Sequence, residues 1–317
     1  MHAAVVSSFS HPPRFETMEA PIPEDDEVLL DVVAAGLHPR VRSQSNGSHY
    51  ADDGALPLVP GIDGVGRTED GILNYFVLDD TAMGSMAEHT VVDRRRMVAL
   101  PANVNPLLIA AAMNPAMSSW VALRKRIDFK VGQSVLVLGA TGSAGQLAVQ
   151  IAKHLGASRV IAAGRNRARL ERLVGLADAT VSLEGTAEEV AQRLGEAAAD
   201  VDVVIDYVWG PASAAAMVGI VMNRTDPSRQ LTWIEIGSVG GLSADIPSAA
   251  LRAARLTIVG SGQGSVATRD FVSELGELAS EIGKGTFAIH PRAVALSDVE
   301  AAWNAPGDGD ERVVITP

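Results

Sequence analysis

The run Gly139-Ala140-Thr141-Gly142-Ser143-Ala144-Gly145 carries the plainest chemical signal in the chain. It follows the apolar residues Val135-Leu136-Val137-Leu138 and opens a helical segment that continues to about Leu155. Read as Ala140-x-Gly142-x-x-Gly145, it matches a dinucleotide-binding fingerprint with alanine at the first glycine. Gly142 would let the backbone approach a pyrophosphate, Gly145 would let helix pack on strand, and the N–H groups at the helix start would hold the anion. The strand, turn and helix around the glycines favour this reading over an ordinary tight turn.

Such a fingerprint expects an acid about 20 residues further on, at the end of the second strand, to bind the ribose hydroxyls of NAD. The same distance from Gly145 reaches Arg165, in Gly164-Arg165-Asn166-Arg167, with Arg169 one helical step beyond and no carboxylate before Glu171. A guanidinium cannot accept from a hydroxyl but fits a phosphate, so the pattern predicts NADP(H) over the plainer reading of a solvated basic turn. Competing motifs are missing. No Gly-Lys-Ser/Thr follows the glycines, no Gly-x-Ser-x-Gly occurs, and none of Tyr50, Tyr75 and Tyr207 has a lysine four residues later as a Tyr-x-x-x-Lys motif requires.

The elements that must position these residues alternate regularly. From about Gly132 the apolar runs Val135–Leu138, Val160–Ala163, Thr180–Ser182, Val203–Ile205, Leu231–Ile236 and Leu256–Val259 alternate with helical segments, two of them near 167–174 and 187–194. Continuous apolar strands between helices are the pattern of a parallel sheet covered on both faces. The first ~100 residues read instead as an antiparallel or barrel-like β-rich unit, with Val28–Val33, Tyr75–Leu78 and Glu88–Val92 as strands between turn formers. A tail from about Asp270 holds a helix and a short strand pair ending in Arg312-Val313-Val314-Ile315. The fold class is α/β, a doubly wound parallel sheet plus a β-rich domain.

Composition agrees. The 317 residues are 47% hydrophobic and 20% charged, enough apolar material for two cores. The net charge of −12 would repel a phosphate backbone, which excludes general nucleic-acid binding. With no cysteine there is no disulfide framework, thiolate nucleophile or cysteine zinc site. The start, Met1-His2-Ala3-Ala4-Val5-Val6-Ser7, has no cationic n-region and no sustained apolar stretch, so a cytoplasmic location is expected. The uncharged stretch Val131–Ala152 mimics a membrane span, but its Gly, Ser, Thr and Gln content assigns it to the glycine turn and its helix, and no membrane partner is expected.

Further segments share a pattern: Ala35-Gly36-Leu37-His38-Pro39, Leu58-Val59-Pro60-Gly61-Ile62-Asp63-Gly64-Val65-Gly66, Gly84-Ser85-Met86-Ala87-Glu88 and Lys130-Val131-Gly132-Gln133-Ser134-Val135-Leu136-Val137. With the glycines and the closing Arg312–Ile315, they make the chain resemble the medium-chain dehydrogenase/reductase superfamily along essentially its whole length. Within it the chain is most similar to the zinc-independent, zeta-crystallin-like quinone oxidoreductases. The resemblance implies a GroES-like substrate domain over 1–118 and 265–317 and a Rossmann NADP-binding domain over 119–264. It also implies a homodimer through the strand Leu256–Val259. In the zinc-dependent branch a Cys ligand would fall at His38 and a His ligand at Ile62. Isoleucine cannot ligate, so no metal is expected. Without a Lewis acid, reduction of a quinone or of the C=C bond of an α,β-unsaturated carbonyl by NADPH fits better than alcohol oxidation. A catalytically idle NADPH-binding protein, a redox sensor or structural subunit, is the alternative.

The expected cofactor contacts are Gly139, Ala140, Thr141, Gly142, Ser143, Ala144, Gly145, Gly164, Arg165, Asn166, Arg169, Val208, Gly237, Ser238 and Ser261. The expected catalytic residues are His38, Tyr50 and Ser118. His38 replaces an asparagine usual in this branch, Val41 an acid, and Ser118 the threonine near the nicotinamide. His38, Tyr50 or a ribose hydroxyl would protonate the developing enolate, whereas Asp63, between two glycines, reads as a structural residue.

Overall fold

β-Branched and aromatic runs, cut by Gly, Pro and Asp turns, become the strands of the N-terminal region in the computed structural model, which describes residues 1–48, 54–79, 81–262, 264–305 and 311–317. Strands β1 (His2–Val5) and β2 (Arg14–Thr17) form an antiparallel pair. The long β3 (Glu27–Gly36) leads into the short helix α1 (Pro39–Ser45). There follow β4 (Asp63–Arg67), β5 (Leu73–Val77), β6 (His89–Asp93) and β7 (Met97–Ala99), then helix α2 (Pro106–Val121).

The parallel arrangement expected from the alternating runs is present. Its elements are β8 (Ser134–Leu138), α3 (Ser143–His154), β9 (Arg159–Gly164), α4 (Arg167–Arg172), β10 (Ala179–Ser182) and α5 (Ala187–Ala198). They continue with β11 (Val203–Asp206), α6 (Gly210–Met222), β12 (Leu231–Glu235), α7 (Ser248–Ala253) and β13 (Leu256–Gly260). The strands pair in parallel in the order β10-β9-β8-β11-β12-β13, so the winding reverses between β8 and β11. Leu136, Leu138, Ile161, Val204, Leu231 and Trp233 are fully buried on these strands, which explains their apolar sequence.

The tail returns as α8 (Thr268–Gly283), β14 (His290–Ala295), α9 (Val299–Asn304) and β15 (Glu311–Thr316). β15 pairs antiparallel with β3 and parallel with β14, giving a seven-stranded path β14-β15-β3-β4-β5-β7 with β6 also on β3. A parallel neighbour needs a crossover, which α9 supplies. By contacts the chain divides into two compact units, Met1–Pro115 with Thr268–Pro317, and Ala116–Ala267. Helix α2 was not among the expected elements, and α6 was expected only as one of the alternating helical segments, without bounds of its own. Both are apolar on nearly every side, so they carry no 3.6-residue alternation to read.

Candidate functional site

In the parallel unit, the glycines meet specific steric demands. A Cβ on Gly145 would lie 2.2 Å from the Gly139 carbonyl oxygen and 2.7 Å from the Ala140 Cα, so α3 can approach β8 only without a side chain there. Gly139 turns the chain with φ +84°, a left-handed value natural to glycine. A Cβ on Gly164 would fall 2.5 Å from the Thr141 Cγ2, so the end of β9 must also be bare for Thr141 to fit. Gly142 is different: its added Cβ would meet nothing closer than 3.5 Å. It caps α3, no side chain closes that cap, and no acid lies in the first turn. The orphan amides of a helix start, with open space in front of Gly142, fit a pyrophosphate.

The remaining expected cofactor residues collect on the same edge of the sheet because parallel strands all end there. Gly164, Arg165 and Asn166 follow or close β9, Val208 follows β11, Gly237 and Ser238 follow β12, and Ser261 follows β13. Arg165 is exposed and makes no hydrogen bond or ion pair among the described residues. Asn166 caps α4, its Oδ1 accepting from the Arg169 amide at 3.0 Å. Arg167, by contrast, donates to Glu171 at 3.2 Å, one turn along α4.

The turn after β11 is held by a carboxylate. The fully buried Asp206 accepts the Val208 amide at 2.8 Å and the Trp209 amide at 3.0 Å through Oδ1. Its Oδ2 accepts the Trp233 indole N–H at 2.9 Å. Ser118, half-buried on α2, lies 2.7 Å through its Oγ from the Tyr207 hydroxyl. Burial pushes that phenol up to about 12, against the opposing hydrogen bonds of Ser118 and Ser119.

In the other unit, His38 stands at the N-cap of α1 with 1% of its surface exposed. Gly36 makes room for its ring: a Cβ there would fall 2.3 Å from Nε2. Arg312 Nη2 lies 2.6 Å from His38 Nδ1. A guanidinium only donates, so Nδ1 accepts and the neutral ring carries its proton on Nε2. That nitrogen faces Asp63 Oδ1 at 3.3 Å, an ion-pair distance whose alignment falls short of a hydrogen bond. Asp63 Oδ2 accepts the Tyr75 hydroxyl at 2.8 Å, and its carbonyl accepts Ser85 Oγ at 2.6 Å. Burial lowers the His38 pKa, with Asp63 opposing, brings Arg312 down to about 10, and raises Tyr75 well above the ordinary phenol range. Asp206, Tyr207, Tyr75 and Arg312 were not expected at these positions. Only Arg312 left a trace, because it opens the closing segment Arg312–Ile315 that carries part of the resemblance. Tyr50 lies outside the described residues. Among the described residues no group of three His, Asp or Glu side chains is arranged to hold a metal.

The chain is similar along its whole length to a protein of Emericella nidulans described as a probable NADPH-dependent quinone reductase, 31% identical with 100% of both chains covered. It is also 31% identical to the chloroplastic NADPH-dependent alkenal/one oxidoreductase of Arabidopsis thaliana, over 53% of this chain and 48% of that one. Among solved structures, a mycobacterial quinone oxidoreductase superposes with a TM-score of 0.83 at 20% identity, covering 100% of both chains, a likeness of fold. No family model matches the chain.

Proposed function

Because the chain belongs to the medium-chain dehydrogenase/reductase superfamily, in its zinc-independent quinone oxidoreductase branch, we propose that it reduces quinones or the C=C bond of α,β-unsaturated carbonyls at the expense of NADPH. The observation that carries this reading is Arg165. It stands unpaired among the described residues at the strand end where an NAD site presents a carboxylate, in a chain similar along its full length to a protein described as a probable NADPH-dependent quinone reductase. NADPH, when bound, supplies a hydride from C4 of its dihydronicotinamide.

The chain's own residues bind and orient. The first-turn amides of α3 take the pyrophosphate, Arg165 with Arg169 takes the 2′-phosphate, and Asp206 keeps the turn after β11 rigid. We assign His38 to holding Arg312 and Asp63, since both of its ring nitrogens face those partners. The proton that completes the reduction then falls to Tyr50 or to a ribose hydroxyl, the other donors expected from the sequence. NADPH consumption with a panel of quinones and enones tests the reaction, and turnover is expected. Intact NADPH binding without turnover on any acceptor would favour the idle binding protein.

Arg165→Ala is expected to weaken NADPH about tenfold to a hundredfold and leave NADH nearly unchanged, as one ionic contact of ~1.5–3 kcal/mol requires. Titration of both cofactors into both proteins measures this. Equal dissociation constants for the two cofactors in the wild type would overturn it.

A homodimer through β13 belongs to the same proposal. Among the described residues the strand pairs with β12 on one side only, and Leu256, Ile258 and Val259 remain half-buried. An apolar edge strand of this kind is usually covered or paired. Sedimentation should give a dimer for the wild type and a monomer for a folded Thr257→Pro variant; a monomeric wild type at micromolar concentration would remove the interface. A cytoplasmic location is proposed with it. The helical stretch Pro106–Arg126 is long and apolar enough to cross a membrane, but 72% of its apolar window is buried in the fold, as in a core helix.

A further inference from the structure

The reversal of winding between β8 and β11 sets the direction in which a dinucleotide would lie. Ligands of such sheets bind outside the carboxyl ends of the strands at this switch point. The glycine turn after β8 takes the pyrophosphate, and Arg165, at the end of β9, marks the side of the 2′-phosphate and its adenosine. The nicotinamide riboside then extends the other way, over the ends of β11 and β12.

Tyr207 is the first residue past β11. Its amide donates to the Leu138 carbonyl at 3.1 Å, tying it to the end of β8. A Cβ on Gly139 would come within 3.2 Å of the Tyr207 Cβ, and a Cβ on Gly237 within 3.2 Å of its carbonyl oxygen. The residue is therefore seated between the turns that follow β8 and β12, both of which are glycine where they face it. Asp206 fixes the next two amides. Just beyond, Trp209 adopts φ 51°, ψ −166°, a costly backbone for a bulky side chain that persists only where its surroundings dictate it. The hydroxyl is fixed as well, by Ser118 at 2.7 Å. A phenol pushed up to about 12 stays neutral at working pH, so its hydroxyl both donates and accepts, as a carboxamide or a ribose hydroxyl requires of a partner.

We propose that Tyr207, oriented by Ser118, is the positioning contact for the nicotinamide riboside half of NADPH. The inference rests on the NADPH-dependent reading above and assigns to that site Tyr207, which the resemblance does not place there, beside Ser118, which it does.

Two ligands separate the claim from a general loss of structure. NADPH carries both halves; adenosine 2′,5′-bisphosphate carries the adenosine and its 2′-phosphate but no nicotinamide riboside. Titrated into Tyr207→Phe, NADPH is expected to bind about threefold to tenfold more weakly than to the wild type, the range of one neutral hydrogen bond. The bisphosphate should bind both proteins within about twofold, since its contacts are untouched. Ser118→Ala should reproduce the selective loss, and the double variant should lose no more than the larger single one, because the two hydroxyls act through each other. Ser118→Ala decides the matter alone if Tyr207→Phe fails to fold. Unchanged NADPH binding in both variants, or equal weakening of the two ligands, would overturn the assignment and leave the NADPH reading standing. A wild type that binds neither ligand would overturn both.

Discussion

Asp63→Ala is expected to destabilise the β-rich unit by about 3–5 kcal/mol, because it removes the buried anion that accepts from Tyr75 and Coulombically balances the largely buried Arg312 guanidinium. Asp63 is fully buried, accepts the Tyr75 hydroxyl at 2.8 Å and faces His38 at 3.3 Å. It is also the anion that Coulombically supports Arg312, whose guanidinium burial has already brought down to about 10. Without it the imidazole proton on Nε2 and the arginine charge beyond Nδ1 lose their counterpart at once. Asp63→Asn keeps the shape and removes the charge, so it should fall between wild type and alanine. Urea unfolding of the three proteins measures the series, and a loss below about 1 kcal/mol for the alanine variant would show that the network is not a stabilising unit.

The same network sets a pH dependence. The His38 pKa is lowered from 6.5, chiefly by burial, so the folded protein binds that proton less readily than the unfolded chain does. The stability it contributes is full above the unfolded value and is lost as the pH falls through the lowered folded one. Protonation also places a hydrogen on Nδ1, where Arg312 donates. A His38→Asn variant should lose this part of the acid sensitivity while retaining whatever the carboxylates contribute.

How far the sequence could be read depends on how local each feature is. The strand, glycine turn and helix around residues 135–155 are contiguous, and Gly142 and Gly145 answer to backbone atoms within a few residues, so pattern and spacing were enough there, whereas Gly139 also faces Tyr207 and Val208 from a distant strand end. The parallel pairing of the sheet, though not its strand order, followed from continuous apolar strands alternating with helices. The cluster around His38 was out of reach because its members come from β15, the start of α1, β4 and β5, with Arg312 and His38 274 positions apart in the sequence. No spacing rule reports a hydrogen bond over that distance. Tyr207 was hidden for another reason: its neighbour Ser118 sits on α2, a helix whose sides are nearly all apolar and which therefore gives no periodic signal. Asp63 read as a structural residue, and its buried contacts to Tyr75 and Ser85 agree with that, although its pairing with His38 was not foreseen.

Gly145→Ala is expected to weaken NADPH at least about a hundredfold, since two or more amide contacts to a charged phosphate, at ~1.5–3 kcal/mol each, depend on where α3 begins. The methyl group would meet the Gly139 carbonyl oxygen at 2.2 Å, the Gly139 carbonyl carbon at 2.8 Å and the Ala140 Cα at 2.7 Å. All three are backbone atoms of the turn itself, so no side chain can swing aside and the helix start must retreat from β8. Overpacking of this kind also costs about 1–3 kcal/mol of stability. Gly142→Ala gives the comparison that isolates the cause. Its methyl would meet nothing closer than 3.5 Å, so the fold should keep its melting temperature, and the group would instead occupy the space through which the pyrophosphate approaches. NADPH titration and thermal unfolding of both variants distinguish the two effects: Gly145→Ala should lose stability and affinity together, Gly142→Ala affinity alone. Wild-type affinity in a folded Gly145→Ala protein would mean that the pyrophosphate is not held at the start of α3, and with it the cofactor position proposed for this edge of the sheet would fall.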